Sequence, residues 1–188
     1  TEESETYIEI TDNLTFLKDG KHFIWTSEMD GYNHIYLYTN EGKQKKQITK
    51  GEWDVSEFYG ADEEAEKLYY QSAEQGQQFR AVYSINFKGK DKVKLSENSG
   101  TNSAHFSKGH KFFINEFSEA NSPGEVVLYN SEGERIRTLI DNERLTELMK
   151  EYDLSEKEFF SFSTSTGTQL NAWMIKPPDF DEKKEYPV

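Results

Sequence analysis

The chain contains no cysteine among its 188 residues, which excludes disulfide bridges and thiolate metal ligands. No stretch approaches the roughly 18 consecutive apolar residues that a membrane-spanning helix requires. No secretory leader pattern opens the chain, which begins with TEESET, and we interpret this start as an interior point of a longer sequence. The absence of cysteine assigns no cellular compartment.

Basic residues are few. The chain has 22 Lys and Arg against 35 Asp and Glu, and its formal net charge is −13. Nucleic-acid phosphates need a basic stripe, so nucleic acid is excluded as a partner, and an anionic membrane surface is disfavoured for the same reason. Hydrophobic content is only 34%, yet aromatic content is 14%, which suits half-buried strands.

A four-strand pattern repeats three times, over residues 14–50, 53–96 and 103–140. The turn glycines Gly42, Gly89 and Gly133 are spaced 47 and 44 residues apart, and the apolar positions Ile48, Leu95 and Leu139 share that spacing. Four short strands at this period are typical of β-propeller blades. Three blades do not close a propeller, so we expect the chain to be a piece of a larger protein.

Within the first repeat, Asp19-Gly20 and Asp30-Gly31 predict hairpins, because glycine accepts positive φ. The residues Phe23–Trp25 predict the second strand. By alignment, Leu68–Tyr70 and Phe112–Ile114 predict the same strand of the later repeats. Alternation at Tyr7–Ile10 predicts an outer strand of a preceding blade.

The pattern changes after the third repeat. Apolar residues at Leu145, Leu148 and Met149 predict a helix over 141–152, with Asp141 or Asn142 as its cap. The segment 158–188 then predicts two strands joined at Thr166-Gly167 and ended by a proline pair.

Four segments together resemble the dipeptidyl peptidase IV branch of the prolyl oligopeptidase family of serine peptidases. They are FIWTSEMDGYNHIYLY (23–38), ITKGEWDV (48–55), LIDNERL (139–145) and GTQLNAWMIKPPDFDEKKEYPV (167–188). The resemblance covers essentially the whole chain. Its order of blade, linker helix and PPDFD…YPV segment is more specific than any Asp-Gly turn.

The resemblance implies a mainly β fold in three parts. Residues 1–140 would be the C-terminal blades of a β-propeller, 141–157 a linker helix, and 158–188 the opening strands of an α/β-hydrolase domain. The family releases N-terminal dipeptides, usually with proline second, by means of a Ser–Asp–His triad, while the propeller restricts access. Family members often dimerise, and bacterial ones are commonly periplasmic or surface-associated.

The sequence itself carries none of that catalytic machinery. It contains no Gly-x-Ser-x-Gly elbow, and by the resemblance the triad and the oxyanion tyrosine lie beyond Val188. No catalytic, substrate-binding or metal-binding residue is therefore assigned, and no cofactor is expected. We expect the chain alone to be inactive. The expected partners are the parent's peptide substrates, the missing blades and hydrolase domain, and a second copy of the chain.

Several residue groups are candidates for functional sites. We interpret the acidic runs 62–66 and 181–185 as solvated turns, because neither has the pattern of a calcium loop. No histidine pair has metal-ligand spacing, and no hydroxyl residue lies in an elbow or beside a base. Trp25 and Trp173 are expected in the core, whereas Trp53 and Arg80 are placed at a propeller rim. The histidines are His22, His34, His105 and His110, and the hydroxyl residues are Ser161, Ser163, Thr164 and Ser165.

An alternative function remains open at this stage. The chain could be a propeller-type module that binds a protein or peptide and has no hydrolase activity. The strand pair after the helix argues against it, because a pure binding propeller has no use for that pair.

Overall fold

A computed structural model describes residues 3, 7 and 11–187. The described chain is mainly antiparallel β structure, with three four-stranded sheets, one hairpin and one helix. Blade 1 consists of β1 Thr15–Phe16, β2 His22–Ser27, β3 His34–Thr39 and β4 Gln44–Gln47. Blade 2 consists of β5 Val55–Asp62, β6 Lys67–Ser72, β7 Ala81–Asn86 and β8 Val93–Lys94. Blade 3 consists of β9 Thr101–Phe106, β10 Phe112–Ser118, β11 Glu125–Asn130 and β12 Arg135–Ile140.

The remaining elements are α1 Glu143–Met149, β13 Lys157–Ser163 and β14 Gln169–Ile175. The chain forms two compact units: Thr1–Ser118 with Glu125–Asp141, and Glu119–Gly124 with Asn142–Val188. The first unit holds the three blades. The prediction of a mainly β fold built from four-stranded sheets is confirmed, whereas the predicted strand at 7–10 falls outside the described residues apart from Tyr7.

Each blade is a meander in which strands adjacent in sequence are also adjacent in the sheet. Hairpins form at both predicted Asp-Gly pairs of blade 1, but their loops are longer than two residues. The Leu17 amide donates to the His22 carbonyl at 2.9 Å, which closes a four-residue loop. In that loop the Asp19 carboxylate accepts the amides of Lys21 and His22, at 2.8 and 3.0 Å. Aspartate thus sets this turn through its own side chain.

The repeat spacing also determines how the blades meet. Gly89, in the turn between β7 and β8, lies so close to blade 1 that a Cβ there would be 2.6 Å from the carbonyl oxygen of Ile48. Gly133, one repeat later, would have its Cβ 3.1 Å from the backbone of Leu95. The turn glycine of one blade therefore contacts the apolar anchor of the blade before it, which explains why both recur at one period.

Two buried clusters fill the junctions between blades. The cluster between blades 1 and 2 is aliphatic and aromatic, and the cluster between blades 2 and 3 contains three large rings. The members of the first are Ile24, Ile35, Ile48, Val55, Phe58, Leu68, Tyr70, Ala81, Tyr83 and Ile85. The members of the second are Tyr69, Val82, Leu95, Ala104, Phe113, Val127 and Tyr129.

One alignment within the repeats is wrong by a residue. The sequence alignment makes Phe113 of blade 3 equivalent to Tyr69 of blade 2, since each is the middle residue of its aligned triplet. Asn86 and Asn130 end β7 and β11, so they mark equivalent positions in the two blades. Tyr69 pairs with Ser84, two residues before Asn86, and Ile114 pairs with Leu128, two residues before Asn130. Tyr69 therefore corresponds to Ile114. With the shift, Phe113 corresponds to Leu68, and both are buried, whereas Phe112 corresponds to Lys67 and is 46% exposed.

In the second unit, α1 is shorter than the predicted helix and has no buried residue. Asn142 is its N-cap, but in a left-handed conformation with φ 56° and without a side-chain cap bond. The side-chain amide of Asn142 instead donates to the Gly124 carbonyl at 2.6 Å. The predicted hairpin is present and fully paired from Lys157↔Ile175 to Ser163↔Gln169. Among the described residues, no helix is long and apolar enough to span a membrane.

Candidate functional site

The four histidines lie at separate places. His34 is fully buried, with Nδ1 3.1 Å from Thr49 Oγ1 and Nε2 3.0 Å from the Gly51 carbonyl. His22 Nδ1 lies 2.5 Å from an Asp19 oxygen, His105 lies 3.5 Å from a Glu116 oxygen, and His110 stacks on Tyr69. Each ring has a local partner, and among the described residues no group of three His, Cys, Asp or Glu converges as a metal site.

Both acidic runs form turns. In the first, Asp62 Oδ1 accepts the amides of Glu64 and Ala65, each at 3.0 Å. The Glu63 carboxylate accepts the Lys18 amide at 2.8 and 3.0 Å. In the run 181–185, the Asp181 carbonyl accepts the Lys184 amide at 2.9 Å. The carboxylates of the first run therefore hold backbone amides of turns, and the second run closes a turn through its own backbone.

The hydroxyl residues after the helix are not placed as nucleophiles. Ser161 donates to the Asn171 amide oxygen at 2.9 Å, and Ser163 accepts from Gln169 at 2.5 Å. Thr164 pairs with Thr166 at 2.9 Å. These partners are amides and hydroxyls, and none could act as a general base.

The three tryptophans occupy different environments. Trp25 is half-buried on β2 and is not a member of either buried cluster. Trp173 is 58% exposed, so the expectation of a core position is wrong for this residue in the described structure. Its hairpin has only two strands, and the Lys157 ammonium lies 4.3 Å from its ring centroid. Trp53 is half-buried at the junction of blades 1 and 2, stacked on Tyr70 at 6.5 Å.

The Arg80 side chain forms hydrogen bonds within its own loop. Its guanidinium donates to the Gln77 and Phe79 carbonyls, each at 2.8 Å. Its backbone carbonyl accepts the Asn102 amide at 2.9 Å, which ties blade 2 to blade 3. The structure thus gives Arg80 a bracing backbone contact between blades, and one guanidinium nitrogen is bonded within its own loop.

Beside Trp53, a cavity of about 410 Å³ lies at the junction of blades 1 and 2. Four of its lining residues are lysines, and no acidic residue lines it among the described part of the chain. The lining residues are Lys46, Gln47, Ile48, Thr49, Lys50, Trp53, Tyr70, Ile85, Lys88, Gly89 and Lys92. Sequence reasoning missed this group, because the lysines come from segments about 40 residues apart that only the junction brings together. We name this cavity the lysine groove.

One lining lysine belongs to a polar cluster that includes buried tyrosines. The Lys92 ammonium pairs with the Glu74 carboxylate and lies 5.7 Å from the ring centroids of both Trp53 and Tyr83. Burial, and next the charge of Glu74, raise the pKa of the Tyr70 and Tyr83 phenols. Both phenols are therefore neutral at physiological pH, and the Tyr70 hydroxyl has no hydrogen-bond partner in the described protein.

Comparisons with known proteins agree with one another. Residues 1–124 match the family described as the dipeptidyl peptidase IV (DPP IV) N-terminal region. Dipeptidyl peptidase 4 of Trichophyton rubrum is 29% identical over 171 residues, which cover 89% of this chain and 22% of that protein.

Two solved structures resemble the chain. The crystal structure of Porphyromonas gingivalis dipeptidyl peptidase 4 matches with a TM-score of 0.90 and 43% identity, over 98% of this chain and 26% of that one. A putative dipeptidyl aminopeptidase IV from Bacteroides ovatus matches with a TM-score of 0.82 at 23% identity, over 98% and 29% of the two chains, and supports the fold alone. The chain spans about a quarter of the length of these relatives.

Proposed function

The chain belongs to the dipeptidyl peptidase IV family, and from this premise we propose that it is a non-catalytic portion of a serine exopeptidase. The parent protein would release N-terminal dipeptides, with proline preferred at the second position. Residues 1–140 would form the last blades of its propeller, 141–157 the linker helix and 158–188 the entry into its hydrolase domain. The observation that carries the proposal is the likeness to P. gingivalis dipeptidyl peptidase 4, at 43% identity over 98% of the chain.

The role assigned to the blades is to gate substrate access and to support the catalytic domain. Gating of this kind requires blades that hold their shape, and the junction of blades 2 and 3 is braced by a buried amide network. Asn102 is fully buried and donates to the Arg80 and Asn98 carbonyls, each at 3.0 Å. Asn115 donates to the Asn102 side-chain oxygen at 3.0 Å. Asn115 Oδ1 has no partner among the described residues, but the other bonds of the network tie Asn98, Arg80 and Asn115 to one buried side chain, which favours a single arrangement of the junction.

The catalytic part of the proposal can be tested in two steps. The gene is read past Val188, where we expect a Gly-x-Ser-x-Gly elbow followed by Asp and His in that order. The full-length product is then assayed for release of p-nitroaniline from Gly-Pro-p-nitroanilide. We expect this activity to disappear when the elbow serine is replaced by alanine. An open reading frame without an elbow would contradict the peptidase assignment and favour the binding-module alternative.

A separate test concerns this chain alone. A fluorophosphonate probe labels activated serines, and we expect it to label the full-length protein but not the isolated 188-residue chain. The Ser161 and Ser163 hydroxyls are bonded to side-chain amides and not to a general base, so we expect neither to react. Labelling of the isolated chain at the rate of the full-length protein would overturn the non-catalytic role.

A further inference from the structure

The lysine groove is a candidate binding site because its lining is positively charged, whereas the chain as a whole is negatively charged. The chain carries a net charge of −13, yet four of the eleven residues that line the groove are lysines. Two of them are already engaged: Lys46 donates to the Lys88 carbonyl at 2.6 Å, and Lys92 pairs with Glu74. Among the described residues no ion pair involves Lys50 or Lys88. Two ammonium groups therefore remain at the groove for an outside anion.

The repeat supplies an internal control for this charge. The junction of blades 2 and 3 is built in the same way, because Gly133 approaches Leu95 as Gly89 approaches Ile48. Counted from these anchors, the four lysine positions of the groove correspond to Val93, Glu97, Glu132 and Ile136, and the Trp53 position corresponds to Gly100. The second junction thus packs without a lysine or a tryptophan at these places, so the blade architecture does not require them.

The side chains that line the groove indicate that part of the ligand is apolar. Trp53 is half-buried and presents indole surface beside the ammonium groups, whereas Tyr70, Ile48 and Ile85 are almost wholly buried, at 0%, 4% and 4% exposed. Sites for small organic ligands typically measure about 300–1,000 Å³ and combine apolar walls with a few polar groups. A groove of about 410 Å³ suits a ligand of two fused rings or one sugar.

We propose that the lysine groove binds a small organic anion that joins an acidic group to a planar or apolar body. Lys50 and Lys88 hold the acid, and the half-buried Trp53 contacts the body. Phosphate, sulfate and carboxylate share this chemistry. Both blades that form the groove lie within the chain, so the site is complete in the first compact unit.

The experiment follows the indole N–H signals of the three tryptophans by ¹⁵N–¹H correlation spectroscopy, with Trp53 assigned by a Trp53→Phe variant. The 188-residue chain is titrated with 1-naphthyl phosphate, 1-naphthoate, inorganic phosphate and neutral 1-naphthol. We expect the Trp53 signal to shift and saturate with the two aromatic anions below about 5 mM. Stronger binding of either one identifies the acid that the groove prefers. Raising the salt from about 0.05 to 0.5 M should weaken binding several-fold, because exposed charges are screened.

Matched lysine variants separate the groove from the rest of the surface. Lys88→Gln and Lys50→Gln should each weaken binding of 1-naphthyl phosphate about fivefold, since each removes one charge-assisted contact. Lys90→Gln, in the turn that holds Lys88, and Lys45→Gln, beside Lys46 on β4, change lysines that do not line the groove. These two controls should leave the affinity within about twofold.

The proposal has three clear ways to fail. A Trp53 signal that does not move while the spectrum stays dispersed would overturn it. Equal losses in the groove and control variants would mean that the anions bind the surface non-specifically. Inorganic phosphate or 1-naphthol binding as tightly as 1-naphthyl phosphate would contradict the joint requirement for an acid and an apolar body.

Discussion

At the residue scale, the turn glycines are not equivalent. Gly42 and Gly89 both have positive φ, +80° and +67°, which alanine adopts only with strain. A Cβ at Gly42 would meet nothing within 4 Å, whereas one at Gly89 would lie 2.6 Å from the Ile48 carbonyl oxygen. The two positions therefore separate the cost of backbone conformation from the cost of blade contact.

We predict that Gly42→Ala lowers the free energy of unfolding by about 1 kcal/mol, the cost of a left-handed alanine. Gly89→Ala should lower it by about 2 kcal/mol more, because the added methyl group forces blade 2 away from blade 1. Urea unfolding of the 188-residue chain measures both losses. Equal losses for the two variants would show that the close approach at Ile48 carries no energetic weight.

Buried tyrosines give the chain a dependence on alkaline pH. Tyr69 is fully buried, and burial, with smaller contributions from Asp62 and Glu132, raises its pKa from 10.0 to about 12. A phenol whose folded pKa is raised stabilises the fold fully below the unfolded pKa, and this stabilisation is lost as the pH rises. The window for Tyr69 is therefore pH 10 to about 12.

We predict that the free energy of unfolding loses its tyrosine contribution progressively as the pH rises above 10. The Tyr69→Phe variant cannot ionise at this position, so its alkaline loss should be shallower than that of the original chain. Urea unfolding at several pH values between about 8 and 12 gives both curves. Curves that fall in parallel would show that ionisation of Tyr69 does not contribute.

At the scale of elements, a single phenol links β5 to β9. The Tyr59 hydroxyl accepts the amide of Ala104 at 3.0 Å, and Ala104 is only 3% exposed. Burial also raises the pKa of Tyr59. The bond satisfies a backbone donor that would otherwise lie unpaired at the junction of blades 2 and 3.

Removing this bond should weaken the junction. We predict that Tyr59→Phe costs about 1–2 kcal/mol of unfolding free energy, since it leaves the Ala104 amide buried without an acceptor. Tyr152→Phe is the matched control, because Tyr152 is 62% exposed, and it should change stability by less than about 0.5 kcal/mol. Hydrogen exchange at Ala104 would quicken in the Tyr59 variant alone. A stability loss no larger than that of the control would contradict the proposed bond.

The elements that the sequence predicts well are those with a local signal. The period of glycine and apolar anchors identifies the three sheets, and the alternating segment after the helix identifies the hairpin β13–β14. The sequence alignment of blade 3 is wrong by one residue because Phe112 and Phe113 are adjacent and similar, so the pattern alone does not decide which one corresponds to Leu68. The strand pairing decides it, since only one register places Phe113 against Tyr129.

The lysine groove could not be read from the sequence. Lys46 and Lys50 lie at the end of one blade, whereas Lys88 and Lys92 lie in a later hairpin, and each pair taken alone looks like ordinary solvated charge. Only the contact between Gly89 and Ile48 brings them together. Asn142 shows the same limit at a helix start, because its side chain binds the Gly124 carbonyl instead of capping α1.

At the scale of the whole molecule, large apolar side chains are exposed in both compact units. Phe16 of blade 1 is 63% exposed, and Ile136 and Ile140 of blade 3 are 49% and 51% exposed. In the hairpin, Phe159 and Trp173 are each 58% exposed. Apolar surface of this extent favours association, whereas the net charge of −13 opposes it through repulsion between copies.

These opposing effects make the oligomeric state depend on salt. We predict that the isolated chain forms a dimer or larger oligomer, and that its mass by multi-angle light scattering rises between about 0.05 and 0.5 M salt as the repulsion is screened. Replacing Ile136 and Ile140 by glutamine removes apolar surface from β12 and should shift the chain toward the monomer at the higher salt. Arg137→Gln, on the same strand, leaves the apolar surface intact and should retain the larger mass. A monodisperse monomer at both salt concentrations would mean that charge repulsion and internal packing outweigh the exposed apolar side chains.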